Sequence, residues 1–192
     1  MDQQQLWAPW RIAYIKGLAD ADAPTGGGGG SGRDGGGGGG GSGGGGGCFL
    51  CDAARAGLDD AERRDRLVLL RDDRGVLLLN RYPYTNGHIL AAPAEHVPSL
   101  TDMTAAQRAG LIELCELATR LLETAMNPQG VNLGMNIGRC AGAGLPGHAH
   151  MHIVPRWNGD VNFMHVIGHV RVIPEALESS YAALSEALAA ER

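Results

Sequence analysis

Residues 148–155 read HAHMHIVP, with a histidine at every second position from 148 to 152. Side chains at positions i, i+2 and i+4 of a β-strand lie on one face, so His148, His150 and His152 line one side of a predicted strand. The preceding residues, 138–147, read GRCAGAGLPG, a glycine-rich loop whose backbone N–H groups can converge on an anion. Three aligned imidazoles beside such a loop indicate phosphate-centred chemistry or a metal site. Two alternatives stay open: a purely structural role for the three histidines, and a catalytic metal held by all three.

The histidine strand is predicted over residues 148–154. The segments around it indicate an α+β fold. Four further strands are predicted from apolar runs at residues 67–70, 75–80, 88–93 and 131–137. Thr104 and Gln107 have the spacing of a capping box, and apolar residues at helical spacing predict a helix from there to about Met126. A C-terminal helix is predicted over about residues 174–190. Strands in runs with one long helix between them favour an antiparallel sheet.

The N-terminal quarter of the chain differs in composition from the rest. Glycine occupies 18 of the 22 positions from 26 to 47, so residues 25–47 are predicted to be a disordered linker. Residues 1–24 contain LWAPWRIAYI at positions 6–15, which is too apolar for a free tail and predicts a docking segment. Residues 48–192 are then one domain, with enough chain for one core.

Composition and charge exclude several classes of protein. No apolar run approaches the roughly 18 residues of a membrane span, and the first ten residues do not resemble a signal peptide. The net charge of −5 argues against a general nucleic-acid binder. Lys16 is the single lysine and follows no glycine loop, so a P-loop is excluded. With four cysteines and no secretion signal, a reducing cytoplasm is the expected location.

The strand of histidines resembles the signature of the histidine triad (HIT) superfamily, in which single, mostly apolar residues separate three histidines. Residues 80–90, NRYPYTNGHIL, with Pro93 and His96, are similar to the upstream nucleotide-binding segment of that family. Residues 133–138, LGMNIG, resemble its central strand. The opening LWAPWRIAYI and residues 154–164, VPRWNGDVNFM, narrow the resemblance to a bacterial branch of diadenosine tetraphosphate phosphorylases, also called ATP adenylyltransferases.

This resemblance implies a HIT-like fold and a role for each histidine. His150 is the implied nucleophile, and a nucleotidyl group is carried on it after attack at the α-phosphate. His152 is an implied donor to the phosphoryl oxygens, and His88 supports the triad from the neighbouring strand. The nucleotide-binding residues implied or suggested by the pattern are Asn80, Asn136, Gly144, Leu145, Gly147 and His152, with Asn80 at the ribose position.

One departure from the family pattern lies in the glycine-rich loop. Many relatives carry serine or threonine three or four residues before the first histidine, where the hydroxyl binds phosphate. This sequence has Gly144 and Leu145 there. Backbone N–H groups must then bind the phosphate alone, and we expect weaker binding of one phosphate oxygen without loss of activity.

Cys48 and Cys51 form a CxxC motif, which on its own fits either redox chemistry or zinc. No thioredoxin-like βαβ pattern follows the motif, so zinc is favoured. In relatives with this motif, both cysteines, the histidine after the conserved proline and the first triad histidine bind zinc. The implied ligands are Cys48, Cys51, His96 and His148. A closed Cys2His2 set is typical of structural zinc and leaves His150 free for chemistry.

The predicted function is a nucleotidyltransferase that cleaves diadenosine tetraphosphate with phosphate to ATP and ADP. The alternatives are a hydrolase of dinucleoside polyphosphates or nucleoside phosphoramidates on the same fold, and a zinc-containing nucleotide-binding module with little turnover. The expected partners are the nucleotide substrate, phosphate and, by resemblance, a second copy of the chain in a homodimer. Arg139 and Arg156 are further candidates for contact with a polyphosphate.

Overall fold

The structure, a computed structural model, describes residues 47–160 and 173–191. Two short helices, α1 (Phe49–Ala53) and α2 (Asp60–Asp65), precede strands β1 (Val68–Asp72), β2 (Gly75–Leu79) and β3 (Ile89–Ala92). The long helix α3 (Ala105–Met126) follows, then β4 (Gly130–Met135), a 3-10 turn (Arg139–Ala141), β5 (Met151–Arg156) and α4 (Leu177–Ala190). Several features of the sequence lie outside the described residues: the predicted docking segment, most of the predicted linker, residues 161–164 (VNFM), and two histidines to which the sequence assigns no role, His165 and His169.

The five strands form one antiparallel sheet in the order β1-β2-β3-β5-β4, as the α+β prediction required. The tight turn between β1 and β2 depends on Gly75. Its φ of +138° is open to glycine, and a Cβ there would lie 2.2 Å from the carbonyl oxygen of Ala92 on β3. The backbone of β3 therefore lies so close to residue 75 that no side chain fits there.

Both faces of the sheet carry an apolar layer. Leu77 and Leu79 face α3 and α4, whereas Val76 and Leu78 alternate with them and face α1. Because the central strands are buried on both sides, their sequence is an almost unbroken apolar run rather than an alternating one. Helix α3 begins at the predicted capping box of Thr104 and Gln107 and ends at Asn127, whose φ is +46°.

The triad strand begins later than predicted. Regular pairing of β5 starts at Met151, opposite Ala91, because β3 ends at Ala92 and the next residue, Pro93, has no N–H to continue the ladder. Ala149 instead bonds with the loop that follows β3, where its N–H donates to the carbonyl of Val97 at 2.7 Å. The strand also continues two residues further than predicted, to Arg156.

Residues 133–138 do not form a central strand. They begin within β4, which among the described strands pairs with β5 alone and lies at one edge of the sheet, and the residues of β4 are exposed or half-buried. Leu133 and Ile137 are exposed there. Among the described residues, no helix has the length and hydropathy needed to cross a membrane.

Candidate active site and metal cluster

The predicted alternation of side chains around the triad is confirmed. Ala149 and Ile153 belong to the apolar layer beneath α3, and Met151 packs against it. The three histidines therefore point toward the other face, where His152 pairs with Leu90 of β3. His148 is fully buried, and His150 is 6% exposed.

The two ring nitrogens of His150 have different environments. Nδ1 lies 2.9 Å from the carbonyl oxygen of His148. A carbonyl only accepts hydrogen bonds, so Nδ1 carries the proton and donates it, and in the neutral ring Nε2 keeps its lone pair. The backbone of the preceding triad residue thus holds the imidazole in the tautomer that a nucleophile needs.

His88 and Asn80 come from the two ends of the loop that joins β2 to β3. The N–H of Asn80 donates to the carbonyl of His88 at 2.8 Å and closes this loop. The side-chain amide of Asn80 and the backbone N–H of Tyr84 both donate to Nδ1 of His88, at 3.3 and 3.1 Å. Nδ1 is therefore the unprotonated nitrogen of a neutral His88, and Nε2 carries the proton.

This assignment extends to His152. Nε2 of His88 lies 3.0 Å from Nδ1 of His152 and donates to it. A neutral His152 then carries its own proton on Nε2, as a hydrogen-bond donor. Burial, together with repulsion from His150 when that ring is protonated, lowers the pKa of His152 from 6.5 to about 4, so His152 is neutral near pH 7.

Tyr84 belongs to this site, although the sequence analysis gave it no role. Its ring stacks on His152, with centroids 5.7 Å apart and planes 21° from parallel, and its centroid lies 4.7 Å from that of His88. The signal available in the sequence was the position of an aromatic residue inside the NRYPYTNGH segment. Only the closed loop shows that this ring reaches the third triad histidine.

The structure brings together the four residues implied as zinc ligands, Cys48, Cys51, His96 and His148. One ligand atom from each lies within 4.8 Å of all the others. Nε2 of His148 lies 3.0 Å from the carbonyl oxygen of Pro93 and donates to it, which leaves Nδ1 unprotonated. That nitrogen lies 3.3 Å from Sγ of Cys48 and 3.5 Å from Sγ of Cys51. Nδ1 of His96 lies 3.2 Å from Sγ of Cys51.

These separations suit a tetrahedral metal site. With the usual zinc–sulfur and zinc–nitrogen bond lengths, the sulfur–nitrogen edge of a tetrahedron is about 3.6 Å, slightly longer than the three edges here. Burial and the neighbouring Cys48 raise the pKa of Cys51 to about 11 without a cation. Two close sulfurs and two imidazoles thus form a donor set that a divalent cation would deprotonate and bind.

The glycine-rich loop is less closely tied to the histidines. Gly144 is exposed and Asn136 is half-buried, and the Asn136 amide donates to the carbonyl of Gly142 at 3.4 Å. Leu145 is half-buried, and its side chain packs on the apolar layer beneath α1. A Cβ on Gly147 would lie 3.0 Å from Nε2 of His96. Gly147 therefore adjoins the metal cluster as well as the triad.

The two arginines that are candidates for polyphosphate contact differ in their hydrogen bonding. Arg156 donates from Nη2 to Asp160 at 3.0 Å, bonds the same carboxylate through Nε, and reaches Asn132 from Nη1 at 3.0 Å. These bonds occupy its guanidinium with Asp160 in its own turn and Asn132 on β4. Arg139 is exposed at the start of the 3-10 turn.

Two proteins whose names refer to dinucleoside tetraphosphates are similar to this chain in sequence. A protein described as AP-4-A phosphorylase from Mycobacterium tuberculosis strain H37Rv is 40% identical over 114 residues, which are 59% of this chain and 58% of that protein. The asymmetrical bis(5'-nucleosyl)-tetraphosphatase of Schizosaccharomyces pombe is 30% identical over 93 residues, 48% of this chain and 50% of that one. The aligned parts thus span about half to three-fifths of these relatives.

A solved structure adds a further likeness. A Zn-bound histidine triad family protein from Mycobacterium smegmatis superposes with a TM-score of 0.55 at 30% identity, over 65% of this chain and 85% of that one. The family model described as HIT domain matches residues 62–159, which is half of this chain. The matched span contains His88, His96 and the whole triad, and on this evidence the chain belongs to the HIT domain family.

Proposed function

We propose that this protein is a nucleotidyltransferase that cleaves diadenosine tetraphosphate with inorganic phosphate to ATP and ADP. The observation that carries the proposal is the buried His150, whose Nδ1 donates to the carbonyl of His148 and whose Nε2 keeps its lone pair. The 40% identity with a mycobacterial AP-4-A phosphorylase favours this substrate and this acceptor. We also propose that residues 48–192 form the catalytic domain and that it acts as a homodimer.

The proposed reaction has two steps on one histidine. Nε2 of His150 attacks the α-phosphorus, the bond to the bridging oxygen breaks, and ATP leaves with the electron pair of that bond. The adenylyl group is then bonded to Nε2. An oxygen of phosphate attacks the same phosphorus, the P–N bond breaks, and ADP leaves. Nε2–H of His152 donates to a phosphoryl oxygen, on which negative charge is concentrated in both transition states.

We further propose that Cys48, Cys51, His96 and His148 hold a structural zinc ion. The support is the four-residue cluster and the Zn-bound relative at 30% identity. Zinc in this site would fix the ligand side chains and supply no reacting group, because all four positions would be filled by protein. The side chain of His148 would bind the metal, while its backbone carbonyl accepts the hydrogen bond from Nδ1 of His150.

Product analysis tests the reaction. The full-length protein is incubated with diadenosine tetraphosphate, with and without phosphate, beside His150→Ala. We expect ATP plus ADP only when phosphate is present, and a loss of at least a thousandfold in kcat for the variant, because the nucleophile is removed. An unchanged melting temperature of His150→Ala is the control for folding.

The alternatives give different products. ATP plus AMP with or without phosphate would make water the second acceptor, as the name of the Schizosaccharomyces pombe relative implies for that protein. Tight nucleotide binding without turnover, unaffected by His150→Ala, would favour a zinc-containing binding module. Either result contradicts the proposed phosphorolysis.

A further inference from the structure

We propose that Tyr84 is a positioning residue that holds His152 with Nε2–H available to a phosphate oxygen. It acts through two separate parts, its backbone N–H and its ring. The assignment of the proton rests on geometry alone, whereas the benefit to a phosphate substrate rests on the function proposed above.

The backbone part of Tyr84 acts through His88. Its N–H donates to Nδ1 of the buried His88 at 3.1 Å. A nitrogen that accepts from a backbone N–H cannot carry a proton in the neutral ring, so the proton of His88 lies on Nε2 and points to His152. The loop is kept in place because the hydroxyl of Thr85 donates to the carbonyl of Pro155 on β5, at 3.0 Å.

The ring part of Tyr84 acts on His152 directly. The two rings are nearly parallel, 21° apart. Among the described residues, the rings of His88 and His150 also lie against His152, with centroids at 5.1 and 4.9 Å. A ring flip of His152 would exchange the positions of Nδ1 and Cδ2, and those of Nε2 and Cε1, so that a carbon would face the donor of His88 and the bond between the two rings would break. Stacking by Tyr84 favours the unflipped ring and keeps water from one of its faces.

Tyr82 provides a matched comparison two residues away. It lies in the same loop and its ring is 72% exposed, against 43% for Tyr84. Its backbone N–H donates to Oδ1 of Asn80, at 3.0 Å, and fixes which end of that amide faces His88. Replacing the ring of Tyr82 leaves this backbone bond in place, so the substitution removes an aromatic ring from the loop but not from His152.

The test reads the tautomer of His152 without substrate. In full-length protein labelled with 15N at histidine, long-range proton–nitrogen spectra distinguish a protonated Nε2 from a protonated Nδ1. We expect the Nε2–H form for the wild type, Tyr84→Phe and Tyr82→Ala. We expect a mixture of both tautomers for Tyr84→Ala, because the backbone N–H at position 84 remains but the unstacked ring of His152 can flip away from the donor of His88. Tyr84→Leu, which fills the space without stacking, is measured beside it in case the alanine variant unfolds.

Kinetics provide the second readout, on whichever nucleotide the protein turns over. For Tyr84→Ala we expect kcat to fall about tenfold with KM changed less than twofold, because a misdirected donor is missed mainly in the transition state. Tyr84→Phe should restore kcat. An unchanged tautomer in Tyr84→Ala overturns the proposal, and so does an equal loss in the phenylalanine and alanine variants. If no nucleotide is turned over, the proposed function fails while the spectra still decide the role of Tyr84.

Discussion

His152 stays neutral in the fold at pH values where a free histidine would be half protonated. In the part of the chain that the structure describes, three rings lie against it: His88 from the end of the β2–β3 loop, His150 from its own segment, and Tyr84 from the loop. None of these is a carboxylate that would stabilise an imidazolium. Burial, and repulsion from His150 when that ring is protonated, therefore lower the pKa of His152 to about 4, and the neutral Nε2–H form is kept for donation.

This lowered pKa predicts a loss of stability on acidification. Between pH 6.5 and about 4, the unfolded chain binds a proton at His152 that the folded chain does not, so the free energy of unfolding falls as the pH falls. We expect wild type to lose on the order of 1 kcal/mol more than His152→Gln between pH 7 and pH 5, because the amide cannot be protonated. Urea denaturation at the two pH values measures the difference.

Comparing wild type with His152→Gln also controls for the titration of other groups. The metal cluster and the other histidines are common to both proteins, so their own titration cancels to first order. Equal losses of stability in wild type and His152→Gln would show that the folded pKa of His152 is close to its unfolded value.

At the scale of the loops, Gly147 links the triad to the metal cluster. A Cβ there would lie 3.0 Å from Nε2 of His96, which is tighter than an ordinary contact. His96 is exposed, so its ring can move aside, but this movement takes Nδ1 away from Sγ of Cys51. Gly147→Ala is expected to weaken zinc binding roughly tenfold, as substitutions next to ligands often do. Chelator competition measures the affinity.

Gly144 supplies the matched control for that substitution. It lies in the same loop, and a Cβ built on it meets no atom within 4 Å. Gly144→Ala should therefore bind zinc as wild type does. If both variants lose affinity equally, the cause is loop flexibility rather than contact with His96.

The elements show where sequence patterns suffice and where they do not. The strands, α3 and its capping box follow from apolar periodicity and local hydrogen bonding, and the structure contains them. Helices α1 and α2 were not predicted, since they have 5 and 6 residues and too few turns for a period to show. The bounds of β5 depend on Pro93 of another segment, which the triad's own sequence does not contain.

The site was predictable to a similar extent. The resemblance of HAHMHIV and NRYPYTNGH to the family pattern identified residues that lie together in the structure. Among them are His88 with His152, and the four residues of the metal cluster. Tyr84 was missed because its role depends on how a loop closes. The hydrogen bonds between Arg156 and Asp160 were also not predictable from the sequence, because they form only when the turn brings the two side chains together.

For the whole molecule, the metal cluster joins parts of the chain that are far apart in sequence. Cys48 and Cys51 lie at the start of the described domain, His96 follows β3, and His148 comes 100 residues after Cys48. A ligand that binds only the folded chain stabilises it by RT ln(1 + [L]/Kd). Zinc at a hundredfold excess over Kd would add about 2.7 kcal/mol and raise the melting temperature by roughly 5–10 °C.

Cys48→Ser separates the metal's contribution from that of helix α1. Sγ of Cys48 accepts a hydrogen bond from the N–H of Cys51 as the N-cap of α1, and serine is at least as good a cap. The variant should thus keep the helix but lose the melting temperature gained from zinc. Cys140→Ser, at an exposed cysteine outside the cluster, should respond to zinc and to chelator as wild type does. A melting temperature that is independent of zinc in wild type, or an equal zinc response in Cys48→Ser, would contradict a structural metal at this site.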